Sequence, residues 1–344
     1  MKKYFLPLFL VLIFCTTLFG CKQETTTDFY LKWTKTHTAG YSEVCEYDID
    51  YLADYNQDDY KYSKANFATV SMSVKEGSYY KTTTTILTSI NDTTYGVNVT
   101  GDTNTFYYKI ENEQQVIIDY VIDGETLSFT DKLYSITYCM DCNNSLQPIF
   151  TYKSYDVTSV SSEYDKIIRY VYDVTTNYDG KNIKFTLTDK SVEKNGEYNY
   201  QYYSLQKATD KSPFVLENTG KDFIENETLL FAGRNLSLTK DETLNVSIPS
   251  YFGVKNVKIV PGRTGTISNT NYTINSLPMH NFPYVKTAIC ITGTNYTGSP
   301  MIVTYQKGAI EGTEYENCLM YNAISRLPSK MGALSYTLKT VTTN

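Results

Sequence analysis

The sequence has little of what enzymes usually work with. It holds two histidines, His37 and His280, among 344 residues, which leaves almost no imidazole for general acid–base chemistry. It contains no Gly-x-Ser-x-Gly elbow, no phosphate-cradling glycine loop ending in Lys, no His-Glu-x-x-His and no dinucleotide fingerprint. Gly262-Arg263-Thr264-Gly265 lacks the Lys and the following helix of a phosphate loop, and reads as a turn. No cofactor is implied by any of these stretches. A basic excess is missing too: the formal net charge is −6. That argues against binding nucleic-acid phosphates or anionic lipid headgroups, which proteins neutralise with clustered Lys and Arg. Helical periodicity is scarce, for no window of twelve residues carries a clean 3.6 repeat, although Asp28–Thr38 and Pro213–Leu230 could each hold a short helix.

What is present is alternation. Cys45, Tyr47, Ile49 and Tyr51 interleave with Glu46, Asp48 and Asp50. The same period of two runs through Val70-Met72-Val74, Tyr95-Val97-Val99, Phe106-Tyr108-Ile110 and Val116-Ile118-Tyr120-Ile122, as in strands with one buried face. Asp123-Gly124, Asp179-Gly180 and Asn195-Gly196 tolerate the positive φ of tight hairpin turns. Ile183, Phe185 and Leu187, the turn at 195–196 and then Tyr198, Tyr200 and Tyr202 form the clearest hairpin pattern. The 34 tyrosines suit half-buried pleats, or else a surface whose rings stack on sugars. The expected fold is therefore all-β: an antiparallel meander or half-barrel over residues 29–210, then an Ig-like β-sandwich over 211–344. The boundary is placed at Ala208–Gly220, where alternation breaks around Pro213.

The N-terminus has its own pattern. Lys2 and Lys3 precede an apolar stretch from Leu6 to Phe14 that stops at Gly20, a secretory leader rather than a spanning helix, which needs about 20 continuous apolar residues. Leu18-Phe19-Gly20-Cys21 resembles the bacterial lipoprotein signal box, with Phe19 departing from its small-residue preference. That resemblance implies cleavage of 1–20, a diacylglycerol thioether on Cys21, and membrane anchoring of an extracytoplasmic protein. Residues 21–28 would then be a polar tether. Loss of Lys2 and Lys3 with the leader takes the net charge from −6 to −8.

In an exported chain disulfides persist. Cys139 and Cys142, separated by two residues, form one candidate pair and Cys290 with Cys318 another, leaving Cys45 alone. Redox use of Cys139-Met140-Asp141-Cys142 would want a helix behind it, and zinc would want two further ligands; neither pattern is there. The acidic run Asp48, Asp50, Asp54, Asp58 and Asp59 lacks the glycine and closing Glu of a calcium loop, so no metal site is assigned. Over Tyr41–Lys207 the meander resembles in architecture the half-barrel sheets of bacterial lipoprotein carriers, which implies a concave face for acyl chains. The reading is a membrane-tethered, non-enzymatic binding or envelope-structural protein; its alternatives are a carrier of lipid or another hydrophobic ligand, and a glycan-binding or glycan-acting surface protein.

Overall fold

The structure, a computed structural model, describes residues 39–53, 70–101, 105–122, 124–142, 145–161, 166–190, 212–218, 223–235, 243–250, 253–292, 301–306, 319–327 and 332–344. The signal segment, Cys21, the tether, His37, the Asn195-Gly196 hairpin turn and Cys318 lie outside these residues.

The described chain is nearly all strand, and the pairings define one long antiparallel ribbon. Its centre is the meander β6 (Tyr107–Ile122), β7 (Glu125–Cys142), β8 (Ser145–Ser161), β9 (Lys166–Tyr178) and β10 (Asn182–Asp189), each hydrogen-bonded to the next. On the β10 side the ribbon ends at β11 (Phe214–Glu217). On the other side β6 pairs with β3 (Tyr79–Leu87), β3 with β1 (Ser42–Leu52), and β1 with β19 (Ala333–Thr343), the last strand of the chain. From β19 the sheet continues through β18 (Met320–Arg326), β17 (Met301–Gln306), β16 (Asn281–Thr292) and β13 (Gly253–Ser268) to β12 (Leu244–Ser250). Phe223, six residues beyond β11, bridges to Ser247 of β12. The chain leaving one end of the ribbon thus lies against the other end, and the sheet curls into a nearly closed barrel.

Strands from both sides of residue 210 share this one sheet through the β1–β19 contact, so the strands assigned from sequence to two modules are hydrogen-bonded together. The antiparallel, barrel-like part of the expectation is what the pairings show.

Alternation explains which face turns inward. On β6, Tyr108, Ile110, Val116, Ile118 and Tyr120 are buried while Lys109 and Glu113 face out. The two apolar sets that looked like separate strands are halves of one, joined across Asn112 and Gln114. The same rule turns Cys45, Tyr47 and Ile49 of β1 and Ile183, Phe185 and Leu187 of β10 into one common core with Val303, Tyr305 and Tyr336 from the C-terminal strands. Each fully buried aliphatic side chain of this kind contributes about 1.5–3 kcal/mol.

Turn chemistry follows the sequence in part. Gly124 at φ 88° lets β6 fold back onto β7, as a positive-φ turn requires. At the β9–β10 turn Gly180 does not take positive φ; instead the Asp179 carboxylate accepts the backbone N–H groups of Lys181 and Asn182, at 2.8 and 2.5 Å, and closes the turn itself. The stretch read as a helix from Pro213 to Leu230 is split: Phe214–Glu217 is strand β11, and helical turns begin only at Asn226.

Candidate functional site

Inside the barrel lies a short segment with no room to be anything but core. Residues Asn226–Thr228 form a 3-10 turn, Leu229–Ala232 the helix α1, and Gly233–Asn235 a second 3-10 turn. Leu229, Leu230 and Phe231 supply apolar contact with the barrel wall. The segment also carries Glu225, Glu227 and Arg234, all buried, into that interior. An unpaired buried charge is expensive. The wall answers each of them.

Lys153, on the inward face of β8, places its ammonium 2.5 Å from Glu225 Oε2 and also contacts Glu227 Oε2. Tyr155, two residues on along the same face, donates its hydroxyl to Glu227 Oε1 at 2.7 Å, and Tyr178 of β9 donates to Glu225 Oε1. Asn112 of β6 donates its amide to the Glu227 backbone carbonyl at 3.2 Å and accepts the Tyr80 hydroxyl at 3.0 Å. At the other end Arg234 grips Glu43 of β1 with both guanidinium arms, at 2.6 and 3.1 Å. The Tyr305 hydroxyl donates to the carbonyl of Leu230 at 2.9 Å.

The electrostatics fix the protonation states. Burial opposes the charge on Lys153, yet the two carboxylates outweigh it and raise its pKa. Burial likewise opposes the Glu227 carboxylate, and Lys153 overcomes it, holding the pKa below the ordinary value. A lysine held charged is no nucleophile, and a glutamate held ionised is no proton donor. Lys255 of β13 feels the same centre: burial and the neighbouring Lys153 bring it down to about 8. Among the described residues, two small cavities border the segment, about 10 Å3 beside Cys139 and Pro148 and about 20 Å3 beside Tyr80 and Arg234. Each has space for a water or two, not for an acyl chain. These ion pairs and hydrogen bonds lock the segment against the wall.

None of these charges was singled out from the sequence, and the signal was available. Lys153 sits between inward Thr151 and Tyr155, Glu43 two residues before inward Cys45, and Asn112 between Ile110 and Val116. A charge at an inward register position implies a buried partner.

The residues that were singled out fall as follows. Cys139 is a buried free thiol whose pKa burial raises; the side chain of its expected partner Cys142 lies outside the described residues. Cys290 is half-buried on β16, and Cys318 is outside the described residues. Cys45 is fully buried, its S–H directed at Glu43 Oε1, 3.4 Å away. Asp48 faces solvent and pairs with Lys339 of β19 at 2.9 Å, while Asp54, Asp58 and Asp59 lie outside the described residues. His280 is an exposed residue just before β16.

A second cluster sits on the outside of the meander. The hairpin of β4 (Ile90–Asp92) and β5 (Val97–Val99) packs Ile90 and Val97 over Tyr107, Ile136, Tyr138 and Phe150. Asp92 holds its turn: it accepts the backbone N–H groups of Thr94 and Tyr95, and the Tyr138 hydroxyl at 2.6 Å. Tyr95 is thereby fixed against the half-buried ring of Tyr152, with centroids 4.8 Å apart, and Tyr134 lies 6.4 Å beyond. Polar groups rim these rings. Tyr134 donates to Glu111, which pairs with Lys109 at 3.0 Å. Tyr152 donates to Asp173 Oδ2 at 2.9 Å, and Lys190 contacts the same oxygen.

No family model matches this chain, and no curated protein matches it. Among solved structures it is similar to a β-barrel-like protein of domain of unknown function DUF1849 from Brucella abortus, with 8% sequence identity and a TM-score of 0.40, over 89% of this chain and 99% of that one.

Proposed function

We propose that this chain is a lipid-anchored, extracytoplasmic protein with a non-enzymatic binding or structural role, tethered through a thioether on Cys21 and working through the outside of its barrel. One observation carries the second half of this reading: the lumen is already occupied by the chain's own residues 224–234, whose charges are matched by the wall. A carrier of acyl chains needs an open apolar cavity, and the spaces beside the segment are of water size. The anchor is supported by the Leu18-Phe19-Gly20-Cys21 motif behind an apolar leader.

The test uses the full-length chain in a bacterial host fed an alkyne-tagged fatty acid. Label incorporated into the wild type and absent from Cys21→Ser, together with release of that variant from the membrane fraction, is the expected result. Equal labelling, or membrane association that persists without Cys21, would overturn the anchor. Native mass spectrometry of the detergent-extracted protein addresses the role: stoichiometric acyl species beyond the covalent anchor would favour the carrier instead.

A further inference from the structure

From the outer tyrosine cluster we infer that the chain binds a neutral glycan on the face of β6–β9 beside the β4–β5 turn. The inference rests on the outward-working reading above and names the ligand class for it. Three observations converge. The rings of Tyr95, Tyr134 and Tyr152 gather on one sheet face, and all three residues are only partly buried. Tyr95 is held by the turn that Asp92 closes and Tyr138 pins, so little ordering remains for a ligand to impose.

The second observation is Asp173. The residue is 9% exposed, and while Oδ2 takes the Tyr152 hydroxyl and Lys190, Oδ1 is buried with no hydrogen-bond partner. A buried carboxylate oxygen left without a donor invites one. Because the Tyr152 hydroxyl binds the other oxygen, this acceptor lies at the tip of that ring. A hydroxyl group of a molecule lying on Tyr152 would fill it once the exposed Lys190 side chain, which contacts the same carboxylate, moves aside.

Charge decides the class. Lys109 pairs with Glu111 and Lys190 with Asp173, while the third carboxylate, Asp92, is filled by the Thr94 and Tyr95 N–H groups and the Tyr138 hydroxyl, so the rim has no cation to spare. An anionic ligand would need surplus cations, and a metal ion would need carboxylates not already engaged. A ring with an apolar face and equatorial hydroxyls matches aromatic surfaces edged by balanced donors and acceptors. That is an uncharged sugar.

The experiment is isothermal titration of the full-length protein in detergent with neutral hexasaccharides of β-linked glucose and of N-acetylglucosamine, against a sulfated oligosaccharide. Binding of a neutral probe, weakened at least tenfold in Tyr152→Leu and in Tyr95→Leu and unchanged in Lys184→Ala on β10, is expected. Asp173→Asn should weaken it as well. Leucine keeps an apolar side chain on the sheet while removing the ring, and a circular dichroism melt on each variant separates lost binding from lost fold. Failure of both neutral probes to bind, binding of the sulfated probe alone, or neutral binding that survives Tyr152→Leu in a folded protein would overturn the inference. The labelling experiment on Cys21 is unaffected by any of these outcomes, so the two readings fail separately.

Discussion

Arg234 and Glu43 are 191 residues apart in the chain and form a two-armed ion pair inside the barrel, at 2.6 and 3.1 Å. It ties the lumen segment to β1, the strand that also joins the N-terminal meander to β19. Removing one partner leaves the other as an uncompensated buried charge, which costs about 3–5 kcal/mol. Arg234→Met is therefore expected to lower the urea midpoint steeply, and Glu43→Leu combined with Arg234→Met to recover most of the loss. A double variant no better than the single would show that the pair itself, rather than the stranded charge, carries the stability.

Lys153 sets the acid limit of the fold. The Glu227 carboxylate is held below the ordinary value, against burial, by the Lys153 ammonium. A depressed carboxylate stabilises the native state above its unfolded pKa, near 4.5, and that contribution is lost as pH falls through the folded value. The wild type should thus lose stability as the pH drops below about 4.5. In Lys153→Met, Glu225 and Glu227 lose their shared ammonium and keep only the Tyr155 and Tyr178 hydroxyls and the more distant Lys255, and stability should instead rise on mild acidification. Denaturant midpoints at pH 3, 4, 5.5 and 7, with Asp131→Asn in both backgrounds to remove that group's opposing slope, distinguish the two proteins by the sign of the change.

Asp131 on β7 runs the other way. Burial lifts its pKa to about 7, although the Thr158 backbone N–H and hydroxyl both donate to Oδ1, at 3.0 and 2.8 Å. Its folded pKa lies above the unfolded value, so the neutral form is favoured by folding, and stability falls as pH rises from about 4 to about 7 and is level beyond. The slope in that window has a ceiling of about 1.4 kcal/mol per pH unit. Asp131→Asn keeps an oxygen for Thr158 and cannot ionise. It should stabilise the protein at pH 8, with little effect at pH 4, and a chemical-denaturation series across that range would read this directly.

The sheet was legible and the site was not, for one physical reason. Period-two apolar patterning reports which residues avoid water, and it located the inward faces of β1, β6 and β10. It broke at Asn112 and Lys153, which point inward too but meet the lumen segment, and at Gln114, which is buried beside Tyr336 of β19. Those polar groups interrupt the pattern because their partners come from far away in the chain, and spacing within a strand carries no information about them. The closure of the ribbon was invisible likewise: β1 meets β19 only because the whole sheet curls. The tyrosines were read correctly as strand formers, while the grouping of Tyr95, Tyr134 and Tyr152 depends on diagonal neighbours in a register that no single strand reveals.

Gly233 tests how tightly the lumen segment is seated. A Cβ at this position would come 2.1 Å from the Tyr305 hydroxyl and 2.5 Å from the ring carbon that bears it. Tyr305 is itself fully buried and donates that hydroxyl to the Leu230 carbonyl, so it has no direction in which to yield. Gly233 has φ −68° and would accommodate alanine's backbone without strain; the obstacle is contact alone. Overpacking of this kind costs about 1–3 kcal/mol. Gly233→Ala should accordingly lower the melting temperature, and adding Tyr305→Phe should not restore it, because the ring carbon remains too close and the Leu230 carbonyl then loses its donor. Tyr305→Leu in the Gly233→Ala background removes the ring and should recover part of the loss, measured by differential scanning calorimetry. A Gly233→Ala protein as stable as the wild type would mean that the segment shifts freely inside the barrel, and the lumen would have to be regarded as a space that opens.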